Sequence, residues 1–143
     1  MRNVLVIALV SWAVAGSGFV AAASFDGKQS LVCTTTELYE CDPARGCRLV
    51  DPVDAGDVRH IHVDFRNKVV KLHPDETAHA SRIDRVETVD GKLVIQGIED
   101  GTEDAVDGGG WTLSIDNRYG SMVFTVAGGS MSFSGFGGCA AAQ

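Results

Sequence analysis

Trp111-Thr112-Leu113-Ser114-Ile115-Asp116, then Asn117-Arg118-Tyr119-Gly120, then Ser121-Met122-Val123-Phe124-Thr125-Val126-Ala127 is the stretch that decides the fold. Trp111, Leu113 and Ile115 alternate with Thr112, Ser114 and Asp116. Met122, Phe124 and Val126 share one face, while Thr125 and Ala127 take the other. A side-chain period of two belongs to a strand with one face in the core and one in water. Asn117 to Gly120 is rich in turn formers, so the stretch predicts a β-hairpin.

The same period extends outward. Ile61, Val63 and Phe65 alternate with His60, His62 and Asp64. Leu93 and Ile95 face a second row of Val94, Gln96 and Ile98, which predicts a strand covered on both faces. Asp90-Gly91 suits a two-residue type I′ turn, whose central residues both need positive φ. Gly128-Gly129 and Arg66-Asn67 give two further turns. The predicted strands cover 31–40, 47–53, 59–65, 68–73, 80–89, 92–98, 111–116, 121–127 and 131–138. Over 75–85 a short helix is the alternative, because Pro74-Asp75-Glu76-Thr77 resembles a helix start and Ala80, Ile83 and Val86 recur at threes. Turn signals at intervals of roughly ten residues predict an all-β fold of about eight or nine short strands. That fold is either a small antiparallel up-and-down barrel or a compact β-sandwich, stapled by disulfides.

The N-terminus carries a different pattern. Arg2 precedes an uncharged run from Val4 to Val14, Gly16-Ser17-Gly18 interrupts it, and Ala21-Ala22-Ala23 follows. A positive start, an apolar stretch and small residues at the cleavage positions predict a secretory signal peptide over 1–23. The mature chain then starts at about Ser24, and 24–143 is a single β domain with no stable membrane anchor. An uncleaved anchor is the competing reading, since Val4 to Ala23 just suffices to cross a bilayer. The internal glycines and the absence of a following Lys or Arg cluster weigh against it. The location expected is therefore exported, either periplasmic or secreted.

Without Arg2, 11 Lys and Arg stand against 19 Asp and Glu, a net charge of −8. Such a chain has no basic face with which to displace counterions, so nucleic acid is not expected as a partner. Four cysteines, Cys33, Cys41, Cys47 and Cys139, read as two disulfides in an exported domain. Of the three pairings, Cys41–Cys47 with Cys33–Cys139 is favoured. Pro43 and Gly46 suit a tight reversal between Cys41 and Cys47. Cys33 lies in the first strand and Cys139 at the end of the last, which are neighbours in a meander barrel. Their bridge is expected to lock the barrel's seam.

Candidate sites are few. His60, His62 and Asp64 leave one face of a strand, and two imidazoles with a carboxylate can hold a transition metal. His73 and His79 are further possible ligands. The competing reading is an ordinary polar face opposite Ile61, Val63 and Phe65, and it takes precedence. Glu99, Asp100, Glu103, Asp104 and Asp107 make the loop 99–110 acidic, but the spacing is not that of an EF-hand. No G-x-S-x-G elbow occurs, and the glycine-rich Ser134 to Cys139 lacks the Lys-Ser/Thr of a phosphate loop. No catalytic residue and no cofactor is expected.

The general plan resembles small exported β-barrel domains, lipocalin-like in layout. The signature residues of bacterial envelope lysozyme inhibitors are not matched, so no site is carried over from them. Two functions follow. The first is an exported non-catalytic protein of the cell envelope or medium that binds a partner through its surface or loops. The alternative is a small-ligand carrier with a pocket at the barrel mouth. Trp111, Phe65, Phe124 and Phe133 packed inward would fill the interior and favour the first. A cavity on the order of several hundred Å³ beneath Trp111 and Phe124 would favour the second.

Overall fold

The computed structural model describes residues 25–75, 80–99, 101 and 108–142. They form strands and turns, with ten strands in chain order: β1 (Leu31–Asp42), β2 (Gly46–Val50), β3 (His60–Asp64), β4 (Val69–Lys71), β5 (Ser81–Arg82), β6 (Arg85–Val89), β7 (Lys92–Glu99), β8 (Gly109–Asp116), β9 (Ser121–Gly128) and β10 (Met131–Ala141). All belong to one antiparallel sheet of order β5-β4-β3-β1-β10-β9-β8-β7-β6. β2 and β3 share one edge of β1: β2 pairs with Leu38 to Asp42, and β3 with Leu31 to Thr34.

The sheet is a curled half-barrel, and its two ends meet at one place. β5 and β6 lie at opposite ends of the strand order, yet only Ile83 and Asp84 separate them. Ile83 N donates to Lys68 O on the β4 side, and Asp84 N donates to Gln96 O on β7, both at 2.9 Å. The strand expected over 80–89 is therefore two strands, one for each end of the sheet. The short-helix alternative over 75–85 is overturned where it is described, because Ser81–Arg82 is extended and paired with β4. Residues 76–79 lie outside the described residues.

Closure at this corner needs Gly97. A Cβ there would overlap Arg82 O and the six-membered ring of Trp111, so only glycine lets β5 pass so close to β7. Residue 97 faces inward beside Leu93 and Ile95, which are buried, whereas Ile98 on the opposite face is 64% exposed. β7 is thus covered on one face only, against the two-sided burial expected from its apolar run.

Turn chemistry sets the hairpins. Asp90 and Gly91 adopt φ of 48° and 74°, as a type I′ turn demands. In the β3–β4 hairpin the left-handed residue is Lys68, with φ of 57°, rather than Asn67. Asn67 is held by Asp64 instead, which accepts from its backbone N at 3.0 Å and its Nδ2 at 2.7 Å. The β9–β10 turn falls on Gly129-Ser130, one residue later than expected, because Gly128 still pairs with Met131.

Cys33 is bridged to Cys139 and Cys41 to Cys47, and each pair faces itself in register across two strands. β1 and β10 are paired from Leu31↔Ala141 to Cys41↔Ser132, with a bulge between Thr35 and Glu37. That ladder runs through the middle of the sheet. The Cys33–Cys139 bridge therefore does not lock the seam of the barrel, contrary to the expectation from strand order. The seam lies on the far side, where the two ends of the strand order come together at Ile83 and Asp84.

Candidate functional site

The half-barrel has two unlike ends. At one end lie the short hairpins β3–β4, β6–β7 and β8–β9. There Leu31, Cys33, Val63, Leu93, Ile115 and Met122 form a close-packed core. Phe25, just ahead of β1, is buried with its ring against Gly120, where a Cβ would overlap it. Burial of each such aliphatic side chain contributes about 1.5–3 kcal/mol, and the segment around Phe25 seals this end.

The other end is open. Between Leu38, Val70, Trp111, Leu113, Phe124 and Phe133 lies a cavity of about 390 Å³, with Ala55 and Val58 of the β2–β3 loop along one side. Its walls are overwhelmingly apolar. The aromatic rings pack inward as expected, Phe124 in the core and Phe65, Trp111 and Phe133 against it, but they leave part of the interior unfilled for a local reason. Gly97 and Gly135 occupy inward positions directly opposite Trp111 and Phe124 in the sheet register. A Cβ at Gly135 would overlap the Phe124 ring, as one at Gly97 would overlap the indole. The two rings therefore lie against the sheet wall over bare backbone instead of projecting across the barrel. The signal was present in the sequence as strand glycines two residues apart from inward apolar positions.

Among the described residues, few polar groups line the cavity. Trp111 Nε1 donates to Ser81 Oγ at 2.7 Å. Glu99, on the inward row two residues after Gly97, also lines the cavity, whereas Lys71 borders it but stands opposite His62 on the outer face. Glu99 is the one acidic-loop residue described besides glycines; Asp100, Glu103, Asp104 and Asp107 lie outside the described residues.

The metal candidates do not converge. His60 is exposed, with Nδ1 3.4 Å from Thr34 Oγ1. His62 stands on the same outer face, opposite Lys71 in register. Asp64 is engaged by Asn67, whose backbone and side-chain N–H groups hold its carboxyl below the ordinary carboxylate range. Burial, and then the charges of His60 and His73, push His62 below its usual value. His73 instead lies 4.0 Å from Asp57, and His79 falls outside the described residues. Among the described residues, no three His, Cys, Asp or Glu side chains gather as metal ligands would.

The other displaced carboxylates belong to turns. Asp116 accepts from the backbone N–H groups of Arg118 and Tyr119, and Asp42 from those of Arg45 and Ala44. These bonds depress both carboxyls. Asp57 is lowered first by its hydrogen bond from the Arg59 guanidinium. These groups cap and stabilise turns, away from the cavity walls.

The outer face carries a small apolar row. Tyr39 and Phe136 meet edge to face at 6.1 Å, Phe136 pairs with Val123, and Tyr39 pairs with Leu49. No helix among the described residues is long and apolar enough to cross a membrane, and the expected signal segment 1–23 lies outside them. No protein-family model matches the chain, and searches of curated proteins and of solved structures return no match either.

Proposed function

We propose that this chain is an exported, non-catalytic carrier of a small, mainly apolar ligand, held in the cavity at the open end of the half-barrel. The observation that carries this reading is the cavity itself. Its volume of about 390 Å³ lies in the range of ligand pockets, with apolar walls and few polar groups to set orientation. One packed end and one open end suit a container better than a scaffold. Export is supported by the Arg2 to Ala23 segment. Two disulfides are compatible with an oxidising location.

Native mass spectrometry of the protein purified from its own host is the test, joined to titration with the neutral fluorophore N-phenyl-1-naphthylamine. The expected result is a small-molecule adduct, or saturable probe binding that Val126→Trp abolishes by filling the cavity. A chain that carries no adduct and leaves the probe unbound overturns the reading.

A second reading, docking of a protein partner, is favoured by the outer row, in which Leu49 is 64% and Phe136 and Val123 are each 41% exposed. Phe136→Asp separates the two: it should release a co-purifying partner and leave probe binding untouched.

A further inference from the structure

Among the described residues that line the cavity, the Ser81–Trp111 pair is the polar feature best placed to select a ligand. From it we infer that the ligand is a neutral lipophile bearing a hydrogen-bond-acceptor oxygen, of the ketone, ester or ether class. The inference rests on the carrier reading and narrows it.

The argument starts at Gly97. Because position 97 has no side chain, the indole of Trp111 lies over its backbone, and the ring is fixed in direction. Its Nε1 points at Ser81 on β5 and donates to Oγ at 2.7 Å. An indole nitrogen can only donate, so the serine hydroxyl is the acceptor in this bond. The hydroxyl keeps its own proton, and among the described residues no acceptor takes it. Ser81 also lines the cavity. The site thus presents a donor, already polarised by the bond it accepts, to whatever occupies the apolar space.

Charge decides the remaining chemistry. Lys71 stands on the outer face opposite His62, so the charged side chain on the inward row of the described lining is Glu99. A carboxylate ligand would be repelled by Glu99, and an amine would meet it only at the part-exposed end of β7, where an ion pair is worth little. Moving an ionised head into an apolar cavity costs several kcal/mol unless it is paired. A neutral oxygen acceptor costs far less, and the Ser81 hydroxyl offsets it. A pure hydrocarbon that displaces water from Ser81 would leave its proton without a partner, which an acceptor oxygen corrects.

Calorimetric titration of the purified chain with four probes of one shape tests this: 2-acetylnaphthalene, 2-ethylnaphthalene, 2-naphthoate and 2-(aminomethyl)naphthalene. The ketone should bind between about threefold and tenfold more tightly than the ethyl compound, the value of one hydrogen bond. Both ions should bind more weakly than the ketone. Ser81→Ala combined with Trp111→Phe, which removes both donors, should erase the ketone's advantage while retaining the ethyl compound. Equal affinity of the ketone and the ethyl compound for the unmodified chain overturns the inference and leaves the carrier reading standing. Tightest binding by either ion overturns it likewise. Failure of all four probes removes the carrier reading with it. The comparison of ketone with hydrocarbon is made on the unmodified chain, so a variant that fails to fold does not remove the test.

Discussion

Trp111 lies across Gly97, its register partner on the neighbouring strand, and the missing side chain at 97 does two things at once. It lets the indole rest against the sheet wall and leave the cavity open. It also lets the Arg82 carbonyl approach β7, so that the sheet's two ends meet at Ile83-Asp84.

Gly97→Ala should therefore be costly. The added methyl meets both a backbone carbonyl and a packed ring, neither of which moves freely. Overpacking of this kind costs typically about 1–3 kcal/mol, and the backbone contact puts the expected loss near 3. Gly110→Ala is the control, since nothing lies within 4 Å of its Cβ position, and its effect should stay within about 0.5 kcal/mol. Urea denaturation of the two variants gives the comparison. Trp111 is the one tryptophan of residues 24–143, so its emission reports the displaced ring directly. Equal stabilities would show that β5 yields without strain.

Much of this fold was legible in the sequence because period and turn chemistry are local. The alternation in 111–116 and 121–127, with Asn117 to Gly120 between, maps onto β8, β9 and their turn almost residue for residue. Asp90-Gly91 announced its own turn by needing two positive φ values. What was not legible depends on pairs of residues far apart. Nothing local says that Ser81–Arg82 pairs with β4 while Arg85–Val89 pairs with β7. The cavity stood only as the alternative for the same reason. Trp111 and Phe124 read as core fillers until Gly97 and Gly135 are known to stand opposite them, and register is a property of two strands.

Acid should weaken the fold in two stages. His62 is held below its ordinary value by burial and then by the charges of His60 and His73. Asp116, Asp64 and Asp42 are held below theirs chiefly by turn hydrogen bonds. A group with a depressed folded-state pKa contributes stability above its unfolded value and loses it as pH falls through the folded one. The histidine stage should begin as pH drops below about 6.5, and the carboxylate stage below about 4. Melting temperature measured from pH 8 to pH 3 should be flat at first and then fall twice. His62→Gln should remove the upper step and leave the lower one. An upper step that survives this variant would assign it to another group.

Phe25 ties the expected processing site to the packing. Its ring is 8% exposed and closes the packed end of the half-barrel against Gly120. Cleavage after Ala23 keeps it, and cleavage two residues later would leave a hole. Mass spectrometry of the exported protein should show an N-terminus at Ser24, at most one residue away. Phe25→Ala should cost about 3 kcal/mol, the low end for removing a buried phenylalanine, because the segment is terminal. A mature chain that starts beyond residue 25 would contradict the seal.

The two disulfides should contribute unequally to stability. A bridge restricts the unfolded chain by closing a loop, and the effect grows with the logarithm of loop length. The loop-closure relation gives about 5 kcal/mol for Cys33–Cys139, with a separation of 106 residues, and about 2 kcal/mol for Cys41–Cys47, with a separation of 6. Folded-state context points the same way. Cys33 is fully buried in the core beside Leu31, and replacing it disturbs packing as well as chain entropy. Cys47 is exposed at the tip of the β1–β2 hairpin, where Asp42 and Arg45 also hold the turn through a 2.7 Å ion pair. Cys33→Ser with Cys139→Ser should therefore lower the urea midpoint far more than Cys41→Ser with Cys47→Ser. The smaller loss should leave cavity binding intact, since neither Cys41 nor Cys47 lines the cavity. Equal losses would mean that residual structure in the unfolded chain already holds its two ends together without the bridge. In that case the Cys33–Cys139 bridge would matter for its packing alone.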